Sequence, residues 1–318
     1  MDWVEYLGSN CKRHNTLVDE AFRSYVYKDA IVQDFKEEAS TRQDPRSEDT
    51  FEPDAIWFRC TPVSTPNSLD GLSVSEDNLK ILKSFLAKEQ SRYLRGLLIK
   101  YGDKVKLGKG IAQIVCKLTN LKRAQEVGID IPITLITKFK DEVVRFKQQC
   151  GKIITKPLGE MPYFNHEIDG ESTIATAYTE EVTEHVLEGM PNSFYPSLFQ
   201  EKLDKELELR IFFLNGICYS MAIFSQLDQQ TAVDFRMYNT EKGNRSIPYT
   251  IPEEFSHKIK SLMDSLNYNM GSLDVIKTKE GKYVFLEINP YGQFGMTSVP
   301  CNYYLDEKIA KFLIDETE

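Results

Sequence analysis

Three oxygen-bearing side chains, Asp274, Glu287 and Asn289, fall on two neighbouring stretches that both read as β-strands. In Tyr283–Asn289, Val284, Leu286 and Ile288 share one face, and Tyr283, Phe285, Glu287 and Asn289 the other. Both faces begin apolar, so the strand is expected to be buried on both sides while ending on a carboxylate and an amide. Ser272–Thr278 reads as the preceding strand, with Glu280-Gly281 as a two-residue hairpin turn. That register sets Thr278 opposite Tyr283 and Asp274 opposite Glu287. Facing carboxylates destabilise a sheet by up to about 1 kcal/mol, and burying one is costly unless it is paired or metal-bound. A divalent cation between them removes the fault. Two carboxylates and an amide suit Mg²⁺, which takes a few protein oxygens and completes its shell with water and phosphate. The plainer alternative is a surface hairpin with incidental charges.

Other residues could serve an anionic substrate. Lys156 ends the short apolar strand GKIITKP, a place where a lysine can equally mark a sheet edge. Glu208 and Arg210 are two apart on a strand and share a face, with Leu207, Leu209 and Ile211 on the other. Ion pairing along an exposed strand is the alternative there. Asp234 and Arg236 repeat the spacing in VDFRMY. The six cysteines are scattered, with no pair at metal-ligand spacing, and the four histidines form no triad-like pattern, so a cysteine nucleophile is disfavoured. Reduced thiols in the cytoplasm are the expected state.

The 318 residues suit two or three packed subdomains, and 41% hydrophobic residues suffice for a sizeable core. No apolar run is long enough to span a membrane, and the start MDWVEYLGSN has no secretion-signal pattern. A net charge of -9 argues against general nucleic-acid binding and requires a local positive patch for any acidic substrate.

These residues need elements to hold them. Asp2–Leu7 reads as the end of a helix, Gln33–Pro53 as polar loop with a short helix, Ala55–Cys60 as a buried strand and Leu79–Leu98 as an amphipathic helix, so the first 112 residues read as a small α/β domain. Leu118, Leu121, Ala124 and Val127 mark a further helix stopped by Gly128, and Pro132 opens a strand. Leu158–Thr173 reads as a mobile loop, Glu180–Met190 as a helix and Pro191–Pro196 as a linker. Asn215-Gly216 reads as a hairpin turn before a return strand, Cys218–Phe224, and Asp306–Ile314 as a closing helix.

Together these landmarks resemble the ATP-grasp ligases over roughly Asp54 to Leu313, in particular the graspetide, or microviridin-type, maturases of ribosomally made peptides. The run LEINPYGQFGMTSVPCNYYLDEKIA looks most like their grasp-with-spasm branch, and Asp234-x-Arg236 followed by Asn-Pro-x-Gly-Gln-Phe is the more specific signature. The resemblance implies an α/β (α+β) ATP-grasp fold. Its parts are an N-terminal pre-ATP-grasp domain (1–112), a central subdomain (113–195) and a mainly antiparallel C-terminal subdomain (196–318). In that family a strand usually precedes the helix holding DWVEYLG, and the given sequence opens on the helix.

By the same resemblance, Lys117 and Lys156 match the lysines on the nucleotide phosphates. Glu201, Lys202 and Leu203 match the hinge at the adenine edge, Glu208 the ribose acid and Arg210 the arginine near the phosphates. Asp274, Glu287 and Asn289 match the Mg²⁺ ligands, and Asp234 and Arg236 the pair that recognises the acceptor region of the precursor. Leu158–Thr173 would be the lid. The implied partners are ATP, Mg²⁺ and a precursor peptide with a leader and an acidic, hydroxyl-rich core, with no nucleic acid or membrane, and a homodimer left open. The implied reaction phosphorylates Asp or Glu side chains and joins them to Ser/Thr hydroxyls or Lys amines. A ligase adding a free amino acid to a protein or small molecule, or a nucleotide-binding module without turnover, stays open beside it.

Overall fold

The structure, a computed structural model, describes residues 55–57, 74–100, 102–108, 116–159, 163–168, 171–176, 179–227 and 245–315. The expected opening helix, the Gln33–Pro53 loop and the Asp234/Arg236 pair lie outside the described residues. By its internal contacts the chain divides into two compact units, 1–113 with 304–318, and 114–303.

In the first unit, β1 (Ile56–Trp57) pairs in parallel with β2 (Val105–Leu107), and α1 (Glu76–Lys100) runs between them in sequence. On α1, Leu79, Leu82 and Leu86 are half-buried and Phe85 is exposed. The C-terminal helix, Leu305–Asp315, groups with this unit rather than with the residues preceding it, and buries Leu305, Ile309, Ala310 and Leu313.

The second unit holds α2 (Lys117–Glu126), β3 (Thr134–Phe139), α3 (Lys140–Cys150), β4 (Ile153–Lys156), β5 (Tyr163–Ile168), β6 (Glu171–Thr176) and β7 (Glu180–Glu181). Next come α4 (Glu184–Gly189), β8 (Ser193–Glu201), β9 (Lys205–Leu214), β10 (Ile217–Ile223) and β11 (Ser246–Tyr249). The unit ends with α5 (Glu253–Ser265), β12 (Met270–Thr278), β13 (Tyr283–Asn289) and α6 (Gly295–Cys301). Among the described residues two multi-stranded antiparallel sheets result, ordered β3-β8-β4-β7 and β11-β10-β9-β12-β13, beside the two-stranded β5-β6 hairpin.

Each sheet buries one face under helices. Val143 and Phe146, three apart on α3, pack with Leu187 of α4 against Ile153, Val182 and Phe199. In the larger sheet, Leu207, Leu209, Ile211 and Phe213 of β9 meet Phe255, Ile259, Leu262 and Met263 of α5 and Leu121 and Ala124 of α2. Neither α3 nor α5 is among the expected elements, although 255, 259, 262 and 263 follow a helical period.

The structure corrects several boundaries. Leu158–Thr173 is not an irregular loop: β5 and β6 pair with Ile168 opposite Glu171, and the sequence between them is Asp-Gly, a strong hairpin signal. Glu180–Met190 splits because Val182 is fully buried and donates its N–H to Ile153 O, after which Thr183 caps the shorter α4. Pro191–Pro196 overlaps β8, and Pro196 sits where the β3–β8 ladder shifts register and beyond the end of β4 pairing, so its missing N–H breaks no regular ladder. Phe199–Ile211 is two strands, interrupted at 202–204.

The β12–β13 connection also differs. Thr278 N–H donates to Lys282 O, Gly281 N–H to Thr278 O, and Gly281 has φ +85°. The loop therefore has three residues ending on a left-handed glycine, and Lys277, not Thr278, faces Tyr283. A bulge then restores the expected pairing of Asp274 with Glu287.

After β13 the chain turns at Gly292, φ +93°. A Cβ there would stand 2.8 Å from the Met270 terminal methyl and 3.2 Å from the Phe212 ring. Gly292→Ala should lower stability by about 1–3 kcal/mol, from positive φ and overpacking together, as read by urea unfolding. An unchanged midpoint would show that the turn relaxes freely.

Candidate active site

Two bulges assemble the site. On β13, Asp274 faces Glu287 while Val275 faces Phe285, so Leu286 is the extra residue. Phe285 and Ile288 consequently both point into the helix-covered core, and Leu286 and Glu287 both line a cavity on the opposite face. On β9, Leu207 faces Lys277 and Lys205 faces Thr278, which leaves Glu206 as the extra residue. Lys205 thereby joins Glu208 on the cavity side. Strict alternation would have placed it with Leu207 and Leu209, which is why sequence reasoning passed over it.

The cavity measures about 480 Å³, within the usual range of small-molecule sites. Of the expected residues it brings together Lys156, Glu201, Lys202, Leu203, Glu208, Asp274 and Glu287. Lys117 reaches the same place from the start of α2: its Nζ lies 3.1 Å from Glu287 Oε2 and donates to Pro157 O at 2.9 Å. Arg210 joins through Asp274, Nη1 to Oδ1 at 2.6 Å, while its Nη2 donates to Gln293 Oε1 at 3.0 Å. Lys152, Lys205, Thr179 and Gln226 also line the wall and were not expected. Four lysines line the cavity beside five acidic residues, Glu201, Asp204, Glu208, Asp274 and Glu287, so an acidic ligand would meet cations there but not the net positive patch expected of a chain of charge -9.

The facing carboxylates are thus held by Arg210 and Lys117, and the Arg210–Asp274 pair is deeply buried. A carboxylate accepts along about four lone-pair directions, so contact with a cation leaves it competent as a metal ligand. Asn289 lies on the face of Glu287, opposite Ser272, and its Oδ1 accepts from Tyr291 N–H at 3.0 Å. Among the described residues no three His, Cys, Asp or Glu side chains cluster at metal-holding geometry. The expected ligand set is two carboxylates and an amide.

Two features of the site suit a nucleotide. Arg210 Nε is buried with no acceptor among the described residues, and a phosphate oxygen would satisfy it. At the hinge, Glu201 N–H donates to Ile133 O and Lys202 N–H to Lys152 O, whereas the Leu203 backbone makes no hydrogen bond among the described residues. Its N–H and C=O are therefore available to a ligand in the cavity that Leu203 lines. Lys202 itself is tied to Glu181, whose carboxyl is held below its ordinary range by that lysine.

Glu208 Oε1 accepts from Lys205 Nζ at 2.7 Å and Ser225 Oγ at 2.6 Å. Burial pushes its carboxyl above the usual 4.5, more than Lys205 and Ser225 pull it down, and Asp274 adds to the rise. Between the ordinary and the raised value the folded chain therefore keeps a proton that the unfolded chain has lost. Glu208 stabilises the fold fully at lower pH, and that contribution is lost as pH rises through the window. Glu208→Gln should flatten this part of the profile in urea unfolding from about pH 4 to 8. A profile identical to wild type would mean that Lys205 keeps the carboxylate ionised throughout.

No family model and no curated protein matches the chain. Solved structures do. A Chryseobacterium gregarium RiPP-associated ATP-grasp ligase, in complex with ADP and a leader and core peptide, is 29% identical over 63% of this chain, with a TM-score of 0.54. The match spans about 58% of that ligase's length. The macrocyclase MdnC from Microcystis aeruginosa MRC, bound with precursor peptide MdnA, is 26% identical over 82% of this chain and 77% of its own, with a TM-score of 0.64. The ATP-grasp ligase PsnB, complexed with minimal precursor, reaches a TM-score of 0.65 at 19% identity over 84% of this chain and 80% of its own, a likeness of fold. The chain thus shares the fold of these ATP-grasp ligases, and the positions expected at the phosphates, the hinge and the acidic cluster converge on one cavity.

Proposed function

We propose that this chain is an ATP-dependent peptide macrocyclase of the graspetide type, in its grasp-with-spasm branch. The observation that carries the reading is the single cavity on which Lys156, Leu203, Glu208, Asp274 and Glu287 meet, with Lys117 and Arg210 tied to its carboxylates. In this reading Leu203 meets the adenine edge, Glu208 the ribose, and Lys117, Lys156 and Arg210 the phosphates. Asp274, Glu287 and Asn289 hold Mg²⁺, which when bound shields the charge of the transferred phosphoryl group. The β5–β6 hairpin takes the part of the lid.

A peptide Asp or Glu oxygen attacks the γ-phosphorus and ADP leaves, giving an acyl phosphate. A Ser or Thr oxygen, or a Lys nitrogen, of the same peptide then attacks the carbonyl carbon. Inorganic phosphate departs and the nucleophile loses its proton, so each ring removes one water from the peptide. Arg236 is proposed to hold the reacting carboxylate in a two-point contact, with Asp234 orienting it.

The test is co-expression with short reading frames beside the gene, followed by intact-mass measurement of the peptides. Loss of one water per ring, with ADP formed in equal number, supports the reading. ADP release with a free amino acid as the acceptor, and no dehydrated peptide, would replace it with the amino-acid ligase.

A further inference from the structure

The maturase-like motif Asn-Pro-x-Gly-Gln-Phe contains a polar side chain that the roles above leave unused, Gln293. Its side chain faces solvent, yet its Oε1 accepts from Nη2 of the buried Arg210 at 3.0 Å. Nη1 of the same guanidinium is held by Asp274 Oδ1 at 2.6 Å. Three elements thus converge on one planar group: β9 supplies Arg210, β12 supplies Asp274, and the turn after β13 supplies Gln293.

The turn is built to deliver that contact. Gly292 (φ +93°) precedes Gln293, whose own φ of +37° lies in the left-handed region that glutamine rarely adopts. Ser272 Oγ donates to Gly292 O and fastens the turn to β12, two residues from Asp274. On the other side, Phe294 rests against Phe212 of β9, with ring centroids 6.0 Å apart. The backbone around Gln293 is therefore anchored to both strands that carry the other two side chains. Strain of this kind persists where the surrounding structure over-determines it, commonly at functional sites.

A guanidinium held at Nη1 alone can still swing about that bond. A second acceptor on Nη2 fixes its plane, and with it the direction of the remaining Nε–H edge. We infer that Gln293 is a positioning residue that locks the plane of Arg210, so that the reaction uses an oriented guanidinium rather than a diffuse positive charge. The functional half of this inference rests on the ligase reading; the structural half does not.

The experiment compares wild type, Gln293→Leu, which removes the acceptor at similar volume, and Gln293→Glu, which restores it. In ¹⁵N-arginine-labelled protein, Arg210 should show resolved, slowly rotating Nη protons in wild type and Gln293→Glu, and averaged ones in Gln293→Leu. Because Gln293 faces solvent, the melting temperature should barely move. In turnover with MgATP and the precursor, Gln293→Leu should lower kcat about 10- to 100-fold, with KM for ATP within about threefold of wild type, and Gln293→Glu should regain most of the rate. Averaged Nη signals with an unchanged kcat would overturn the inference and leave the ligase reading standing. If wild type consumed no ATP, the ligase reading would fall by itself, and Nη signals that stayed resolved in Gln293→Leu would overturn the positioning role.

Discussion

Arg210→Met is expected to destabilise the chain by about 3–5 kcal/mol, the usual cost of leaving one partner of a buried ion pair uncompensated. The Arg210 and Asp274 side chains are only 5% and 11% exposed, and they face each other across the β9–β12 ladder. Without the guanidinium, Asp274 would lose its 2.6 Å ion pair while still facing Glu287, so the cost of burial and like-charge repulsion would add. The midpoint of thermal unfolding should fall by roughly 6–20 °C. The informative comparison is Arg210→Met combined with Asp274→Leu, which replaces both charges with apolar groups. That double variant should recover most of the loss, because desolvating an ion pair offsets much of its attraction. A double variant no more stable than Arg210→Met would mean that Arg210 acts through its packing and not through Asp274. Neither variant is expected to turn over ATP.

Glu287→Gln is expected to separate chemistry from folding. Glu287 is 25% exposed and its Lys117 partner 14%, so the bond between them is worth little beside the buried pair. Glutamine keeps an oxygen for Lys117 and removes a charge facing Asp274. Stability should therefore stay within about 1 kcal/mol of wild type, in either direction. Turnover should drop about 100-fold or more, since a neutral amide is a poor replacement for a carboxylate on a divalent cation that stabilises transferred phosphoryl charge. Thermal unfolding and ADP formation, measured on one preparation, decide the matter. A large fall in melting temperature with turnover intact would assign Glu287 a structural task instead.

The β12–β13 hairpin was legible in the sequence because it depends on local features, two adjacent apolar strands and a short connection between them. Its pairing of Asp274 with Glu287 came out as expected because two departures cancel: the loop has three residues, and the Leu286 bulge shifts the register back. Local signals also gave the Asn215-Gly216 hairpin, where both residues have positive φ and Leu214 faces Ile217. Lys156, Glu208 and Arg210 could be picked out because a charge within an apolar strand stands apart from its neighbours. Their burial, and the choice between a site and an exposed ladder of ion pairs, could not. What covers a strand face is set by elements far away in the chain, here α2, α5 and the four-stranded sheet.

Only the tertiary structure decided the rest. A β-bulge inserts one residue without leaving a compositional mark, so strict alternation misplaced Lys205 and Leu286, and the bulges at Glu206 and Leu286 turned both toward the cavity. The contact of Lys117 with Glu287 joins residues 170 apart in sequence, and no spacing rule reaches that far. Gln293 stood in view within its motif, but its reach to Arg210 depends on two successive left-handed residues that fold the turn back over β9 and β12. Local periodicity names the residues able to do chemistry. Long-range packing decides which of them share one low-dielectric space, because the free energy that offsets burying their charges comes from partners brought in by the fold.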